Sequence, residues 1–226
     1  MQPNRALEQQ VEQLTRLTLA LTDELEQQKR LVLASQSPAR LQLLRQAGLQ
    51  PEVVVSGVDE SAVTAPRVGE LVALLASAKA AAVAEEQTDA LVIGADSLLE
   101  FGGKPLGKPA DAADARDRWR RMSGRSGILH TGQAVFDVRD GGVAKRDVGV
   151  SSTVVHFASP TPAELDAYLA TGEPLAVAGA FTLDGLGAPF VRRIEGDHSA
   201  VIGLSLPLLR TQLAKLGLAL TDLWQR

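Results

Sequence analysis

Leu7, Val11, Leu14, Thr18, Leu21 and Leu25 recur at alternating spacings of four and three. That heptad stripe predicts a helix in the first thirty residues, a stretch with no Gly and a single Pro at position 3. Such a helix can lie on its own domain, pair with a second copy as a coiled coil, or fray; a homodimer is what pairing would give. After residue 30 the pattern changes to short apolar runs alternating with helical spacing. "LVLAS" (31–35), "EVVVSGV" (52–58) and "ALVIGAD" (90–96) are rich in β-branched residues and read as strands buried on both faces. Residues 69–86, 111–124 and 161–172 read as helices, the last with Thr161 as cap, Pro162 at the first helical position and Gly172 beyond the end. Another helix follows Pro207. Two alternating runs around Asp140-Gly141-Gly142 predict a hairpin. Residues 179–203 are too glycine-rich for regular structure throughout and too apolar for a linker, so they read as a shaped binding loop. The fold class expected is α/β: a mixed sheet with flanking helices, as one domain or two lobes around a cleft.

The chain has 226 residues, of which 45% are apolar, enough for one sizeable core. The net charge is -4, so a broad nucleic-acid surface is not expected and any anion site must be local. With no cysteine, disulfides, thiolate metal sites and thiol nucleophiles are excluded. No apolar run approaches the roughly 20 residues of a membrane span, and "MQPNRALEQQ" lacks the apolar core of a signal peptide. A cytoplasmic protein with no membrane partner is the expectation.

Three stretches carry candidate chemistry. In "LVLASQSPARLQLL" a buried strand turns into a helix with Ser37 placed as cap and Pro38 at the first helical position. The free N–H groups of that first turn, with Arg40 one turn inside, form an anion site; the bland alternative is a good cap with a solvent-facing Arg. In "VIGADSLL", Asp96 ends an apolar strand at the sheet's carboxyl edge, where α/β proteins place ligands. There it faces a cleft or a partner, or simply caps the next turn. "GGKPLGKPAD" has the spacing of a phosphate loop, but Pro109 stands where the metal-binding hydroxyl belongs, so that reading fails. Lys108 remains as a cation between rigid neighbours, or as an exposed turn lysine. The three histidines show no metal-ligand spacing. Carboxylates with Lys and Arg about an anion turn favour hydrolysis or transfer at phosphorus, with Mg²⁺ as a candidate requirement.

"LVLASQSPAR", "SAKA", "VIGADS", "LGKPAD", "TGEPLAVAGAF", "GLGAPFV" and "RIEGDHSAVIGLSLPLL" occur in this order, and together they resemble the Maf family of nucleoside triphosphate pyrophosphatases. The resemblance spans residues 30–217, leaving 1–29 as an N-terminal extension and 218–226 as a C-terminal tail. It implies a mixed sheet in two lobes about a central cleft. The implied activity is hydrolysis of the α–β phosphoanhydride of a nucleoside triphosphate, with a divalent cation (Mg²⁺ or Mn²⁺), in a cytoplasmic house-cleaning role. By the same resemblance Asp96 is the general base, and Ser35, Ser37 and Arg40 form the phosphate-binding turn. Lys79 and Lys108 are site lysines, and Glu60 is an acidic residue that holds metal or water, so that Asp96 and Glu60 are the metal-ligand candidates.

Three positions depart from subfamily patterns. Ala39 replaces an Arg, or the Trp of a 7-methyl-GTP subfamily. Ser97 stands in place of Thr or Gln, and Asp184 in place of Gln or Glu. Neither the dTTP/UTP nor the methylguanine triple is present. Asp184 either reads the base edge or caps the turn at Gly185. The older name of the family links it to septum formation, so a nucleotide-binding regulator of division without catalysis is the alternative. Carboxylates at 96 and 60 beside phosphate-seeking cations favour the enzyme, because they repel phosphate unless a metal or water intervenes.

Overall fold

The computed structural model describes residues 10–16 and 29–224. Residues 10–16 are helical (α1). Val11 and Leu14 are 58% and 63% exposed, so this part of the heptad stripe is not buried on the domain. Leu7, Thr18, Leu21 and Leu25 lie outside the described residues.

Seven strands form one mixed sheet in the order β2-β1-β3-β5-β6-β7, with β4 on β3. β1 (Leu31–Ala34) runs parallel to β2 (Glu52–Val53) and to β3 (Ala90–Phe101). The remaining pairs are antiparallel: β3 with β4 (Lys104–Leu106) and β5 (Ser126–Arg139), β5 with β6 (Gly142–Phe157), and β6 with β7 (Val191–Glu195). The β5–β6 hairpin closes through Asp140 and Gly141, with φ of 50° and 74°, the left-handed pair that a two-residue turn requires. "EVVVSGV" is a strand only over its first two residues. It lies at the sheet edge beside a four-residue β1, and Val53 and Val55 are exposed.

Side-chain alternation sets the layers. Leu31, Leu33, Leu91, Ile93 and Val135 face α2 (Pro38–Gln46) and α7 (Leu206–Leu216). Val32, Ala34, Val92, Ala134 and Phe136 face α3 (Val68–Ala84). A separate core gathers around Trp119 of α4 (Ala112–Met122), with Leu99, Phe101, Phe157 and Tyr168 of α5 (Pro162–Ala170). β3 runs through both cores, so its residues between Ile93 and Leu99 form the waist of the molecule. This is the mixed α/β arrangement expected, one seven-stranded sheet with flanking helices. The span 179–203 holds more regular structure than its glycines suggest: 3₁₀ turns, β7 and the short α6 (His198–Ile202), capped by Asp197. Residues 220–223 form a 3₁₀ turn with Leu223 buried in the α2/α7 core, so the described part of the C-terminal tail packs on the domain.

The extension meets the domain at the start of β1. Lys29 pairs with Asp137 at 3.3 Å and Arg30 with Glu52 at 2.7 Å, while the Arg30 carbonyl accepts from Leu91 N at 2.8 Å. Four strand residues, about 13 Å at a rise near 3.3 Å each, separate this point from Ser35. A chain beginning at Lys29 is therefore expected to keep wild-type turnover; a large loss with unchanged circular dichroism would place the extension at the site.

Candidate active site

β3 is notched on one edge. β1 pairs with it as far as Gly94, and β4 begins pairing at Leu99, so among the described residues no strand pairs with 95–98 on that side, while β5 holds the other. The sequence placed Asp96 at a strand end. It lies instead mid-strand, because β5 pairing and the β4 hairpin carry β3 onward; the strand that ends here is the neighbour β1. The consequence for Asp96 is the same, since it borders a gap at the carboxyl end of parallel strands.

Alternation sends Asp96 and Ser97 to opposite faces, and the two halves of the site follow from this. Asp96 faces α3, where Lys79 Nζ lies 2.6 Å from Asp96 Oδ1 and 2.6 Å from Glu60 Oε1. Lys79 and Asp96 are buried, whereas the Glu60 side chain is 56% exposed. Lys79 reaches that far because two glycines let α3 sit close on the sheet. A Cβ at Gly94 would fall 2.2 Å from the Ala76 carbonyl oxygen, and one at Gly132 would fall 2.1 Å from that of Val72. Glu60 opens a 3₁₀ turn (Glu60–Ala62) capped by Asp59, which accepts from Ser61 N at 3.0 Å.

On the other face the opening turn forms as its sequence dictates. Ser37 caps α2 and Pro38 occupies its first turn. Ser35 Oγ accepts from Ser37 N at 3.2 Å and from Arg40 Nη1 at 3.0 Å. Arg40 Nε donates to the Gly203 carbonyl at 2.8 Å, and Nη2 to Ser97 Oγ at 3.3 Å. Burial lowers the Arg40 pKa from its ordinary value, and the charges of Asp96 and Glu60 oppose that fall. An arginine starts so high that it stays a cation. Arg40 on one face and Lys79 on the other thus flank the notch.

The structure gathers Ser35, Ser37, Arg40 and Ser97 into one group and Lys79, Asp96 and Glu60 into another, coupled through the Arg40 field. Lys108 and Asp184 are exposed, and their side chains make no ion pair or hydrogen bond with either group among the described residues. The Lys108 loop is held by Arg118, which donates to the Gly107 carbonyl at 2.7 Å. The Asp184 loop is tied to Glu173, whose carboxylate accepts from Leu186 N and Gly187 N at 3.0 Å each. Burial, the largest single influence, raises the Glu173 pKa, but the hydrogen bond from Thr182, with those from Leu186 N, Gly187 N and Tyr168, outweighs it and the pKa is lowered. Among the described residues the Asp184 carboxylate accepts no hydrogen bond from the Gly185 turn, and its side chain is exposed. Thr131 was not singled out by the sequence. A threonine in an alternating strand carries no mark of function, and only its register opposite Ser97 reveals it.

A buried carboxylate against a lysine, with an arginine across a gap in the sheet, can hold a polyanion and orient a water beside it. Residues 30–216 match the family model described as Maf-like protein. A Streptomyces coelicolor protein called nucleoside triphosphate pyrophosphatase is 61% identical, over 87% of this chain and 95% of the relative. One of the same name from Salinispora tropica is 58% identical, over 87% and 88%. A solved HAM1 protein from Coxiella burnetii aligns with a TM-score of 0.40 and 17% identity, covering 58% of this chain and 74% of that one, a likeness too slight to build on. The chain is an α/β protein with a mixed sheet notched at β3, and it belongs to the Maf family.

Proposed function

We propose that this chain is a nucleoside triphosphate pyrophosphatase, cleaving the α–β phosphoanhydride to give a nucleoside monophosphate and pyrophosphate. The observation that carries the reading is the open edge of β3, bordered by Asp96 with Lys79 and Glu60 on one face and by Arg40 with the Ser35–Ser37 turn on the other. The family relationship and the name shared by relatives support it. Arg40 and the N–H groups of the capped turn bind phosphate oxygens. No protein donor reaches Asp96 Oδ2 among the described residues, so that oxygen accepts the proton of the attacking water while Oδ1 stays on Lys79. Lys79 holds Asp96 in place through Oδ1 and adds positive charge beside the leaving pyrophosphate. A cytoplasmic location belongs to the same reading; no helix among the described residues is long and apolar enough to cross a membrane.

Asp96 and Glu60 offer two hard oxygen donors. That number suits a Mg²⁺ or Mn²⁺ ion whose shell is completed by substrate phosphate and water. No larger group of metal-ligating side chains occurs among the described residues. When bound, such a cation supplies charge neutralisation between the two carboxylates and the polyphosphate. Pyrophosphate release from a nucleotide panel, measured with and without chelator, tests both parts. Activity is expected with Mg²⁺ or Mn²⁺ and none in excess chelator. Release of orthophosphate alone, or full activity in chelator, would refute the corresponding part.

The base preference follows from Asp184. An ionised carboxylate only accepts, so it suits adjacent donors such as the ring N–H and amine of guanine. The small Ala39 leaves room for a purine. Wild-type kcat/KM is expected to be lower for dTTP and UTP than for at least one guanine nucleotide. Asp184→Gln should shift preference toward pyrimidines by roughly 5- to 150-fold, the worth of one mispaired polar group. A wild-type preference for dTTP or UTP over every purine would end this assignment.

A further inference from the structure

We infer that Thr131 is a positioning residue for Arg40, acting through Ser97, and that Ser97 serves the phosphate end of the substrate and not its base. The inference rests on the reading of the notch as a polyphosphate site. Thr131 is fully buried on β5, in register with Ser97 of β3. Its hydroxyl donates to the Ala200 carbonyl at 2.7 Å, and a carbonyl can only accept, so the single Thr131 proton is committed. The 2.8 Å contact between Ser97 Oγ and Thr131 Oγ1 then has only one polarity: Ser97 donates. Ser97 therefore presents lone pairs to its other neighbour, Arg40 Nη2 at 3.3 Å. The chain runs in one direction, from Arg40 to Ser97 to Thr131 to Ala200.

The same segment holds the guanidinium twice. Ala200 lies in α6 and Gly203 follows it, and the Gly203 carbonyl takes Arg40 Nε. Ser35 takes one proton of Nη1 and Ser97 one proton of Nη2. Of the five guanidinium N–H groups, one on each Nη has no partner among the described residues and is left to donate to phosphate oxygens. With its proton spent on Thr131, Ser97 has none to give a nucleobase carbonyl. A residue at this position thus affects the substrate by fixing how Arg40 presents those N–H groups.

The test uses the full chain and a ligand without a base. Affinity for inorganic tripolyphosphate is measured by calorimetry for wild type, Thr131→Val, Thr131→Ser, Ser97→Ala and the Thr131→Val/Ser97→Ala pair, beside kcat/KM over the nucleotide panel. Thr131→Val and Ser97→Ala should each weaken tripolyphosphate binding by about tenfold, and the double variant no more than either alone. Thr131→Ser, which restores the hydroxyl, should return to within about twofold of wild type. The kcat/KM loss should be the same factor for every base. Ser97→Ala, at a partly exposed position, keeps the test open if Thr131→Val fails to fold. Unchanged tripolyphosphate affinity in both single variants, multiplying losses in the pair, or a Ser97→Ala loss that varies with base would overturn the inference. If the variants behave as expected but wild type hydrolyses no nucleotide, the pyrophosphatase reading falls while the positioning role stands.

Discussion

Asp96→Asn lowers turnover of the preferred nucleotide by about 100-fold or more, while nucleotide affinity changes little. The substitution keeps the shape and removes the proton acceptor. It also removes one of the two carboxylates on Lys79, which bears on the fold. Breaking a buried ion pair by deleting one partner commonly costs about 3–5 kcal/mol, because a charge is stranded. Here the loss should be well below that range, since Glu60 remains 2.6 Å from Lys79 Nζ and the Asn carbonyl can still accept. Turnover and thermal melting measured together separate the two effects. A variant that melts near wild type and turns over about 100-fold more slowly supports Asp96 as the base. Near wild-type turnover transfers the role to Glu60, which is then examined as Glu60→Gln.

The parts of this site that the sequence made legible share a property: their chemistry is local. Ser37, Pro38 and Arg40 sit within one helical turn, so cap and charge could be read from neighbours alone, and the structure keeps that turn. Asp96 interrupts an apolar run, which leaves it a cleft, a partner or a turn to cap, and the structure gives it a partner in Lys79 from 17 residues earlier. What could not be read depends on register and on approach between elements. That β3 continues past Asp96 is decided by β5 and by the Gly102-Gly103 turn into β4, not by the run itself. β7 and α6 were hidden in a glycine-rich stretch because β7 is stabilised by pairing with β6, and α6 by its Asp197 cap and by packing. Asp184 and Lys108 lie in loops, as their motifs suggest, but a motif carries no distance, and among the described residues neither side chain pairs with the Arg40 or Lys79 group. Thr131 needed its register opposite Ser97 and a carbonyl from α6 before it meant anything.

Gly132→Ala tests the feature that brings the acidic half of the site together. Gly132 is the β5 partner of Asp96, and a methyl there would lie 2.1 Å from the Val72 carbonyl oxygen and 2.7 Å from Ala73 N. These are backbone atoms of α3, which no rotamer change can move aside, so the helix must shift away from the sheet. Overpacking of this kind costs about 1–3 kcal/mol, and the backbone contact puts this case at or above the upper end. In a chain of this size, roughly 3 kcal/mol lowers Tm by about 6–12 °C. The displacement falls where Lys79 meets Asp96, two helical turns along α3, so turnover should drop together with Tm, by about tenfold or more if the shift approaches 1 Å. Gly142→Ala, at the start of β6, is the control: its added methyl meets nothing closer than 3.7 Å and should change stability by less than about 0.5 kcal/mol. Melting curves and turnover for the two variants decide the matter. If Gly132→Ala matches wild type in both, α3 is free to move, and the Lys79–Asp96 contact does not depend on the close seat of that helix on the sheet.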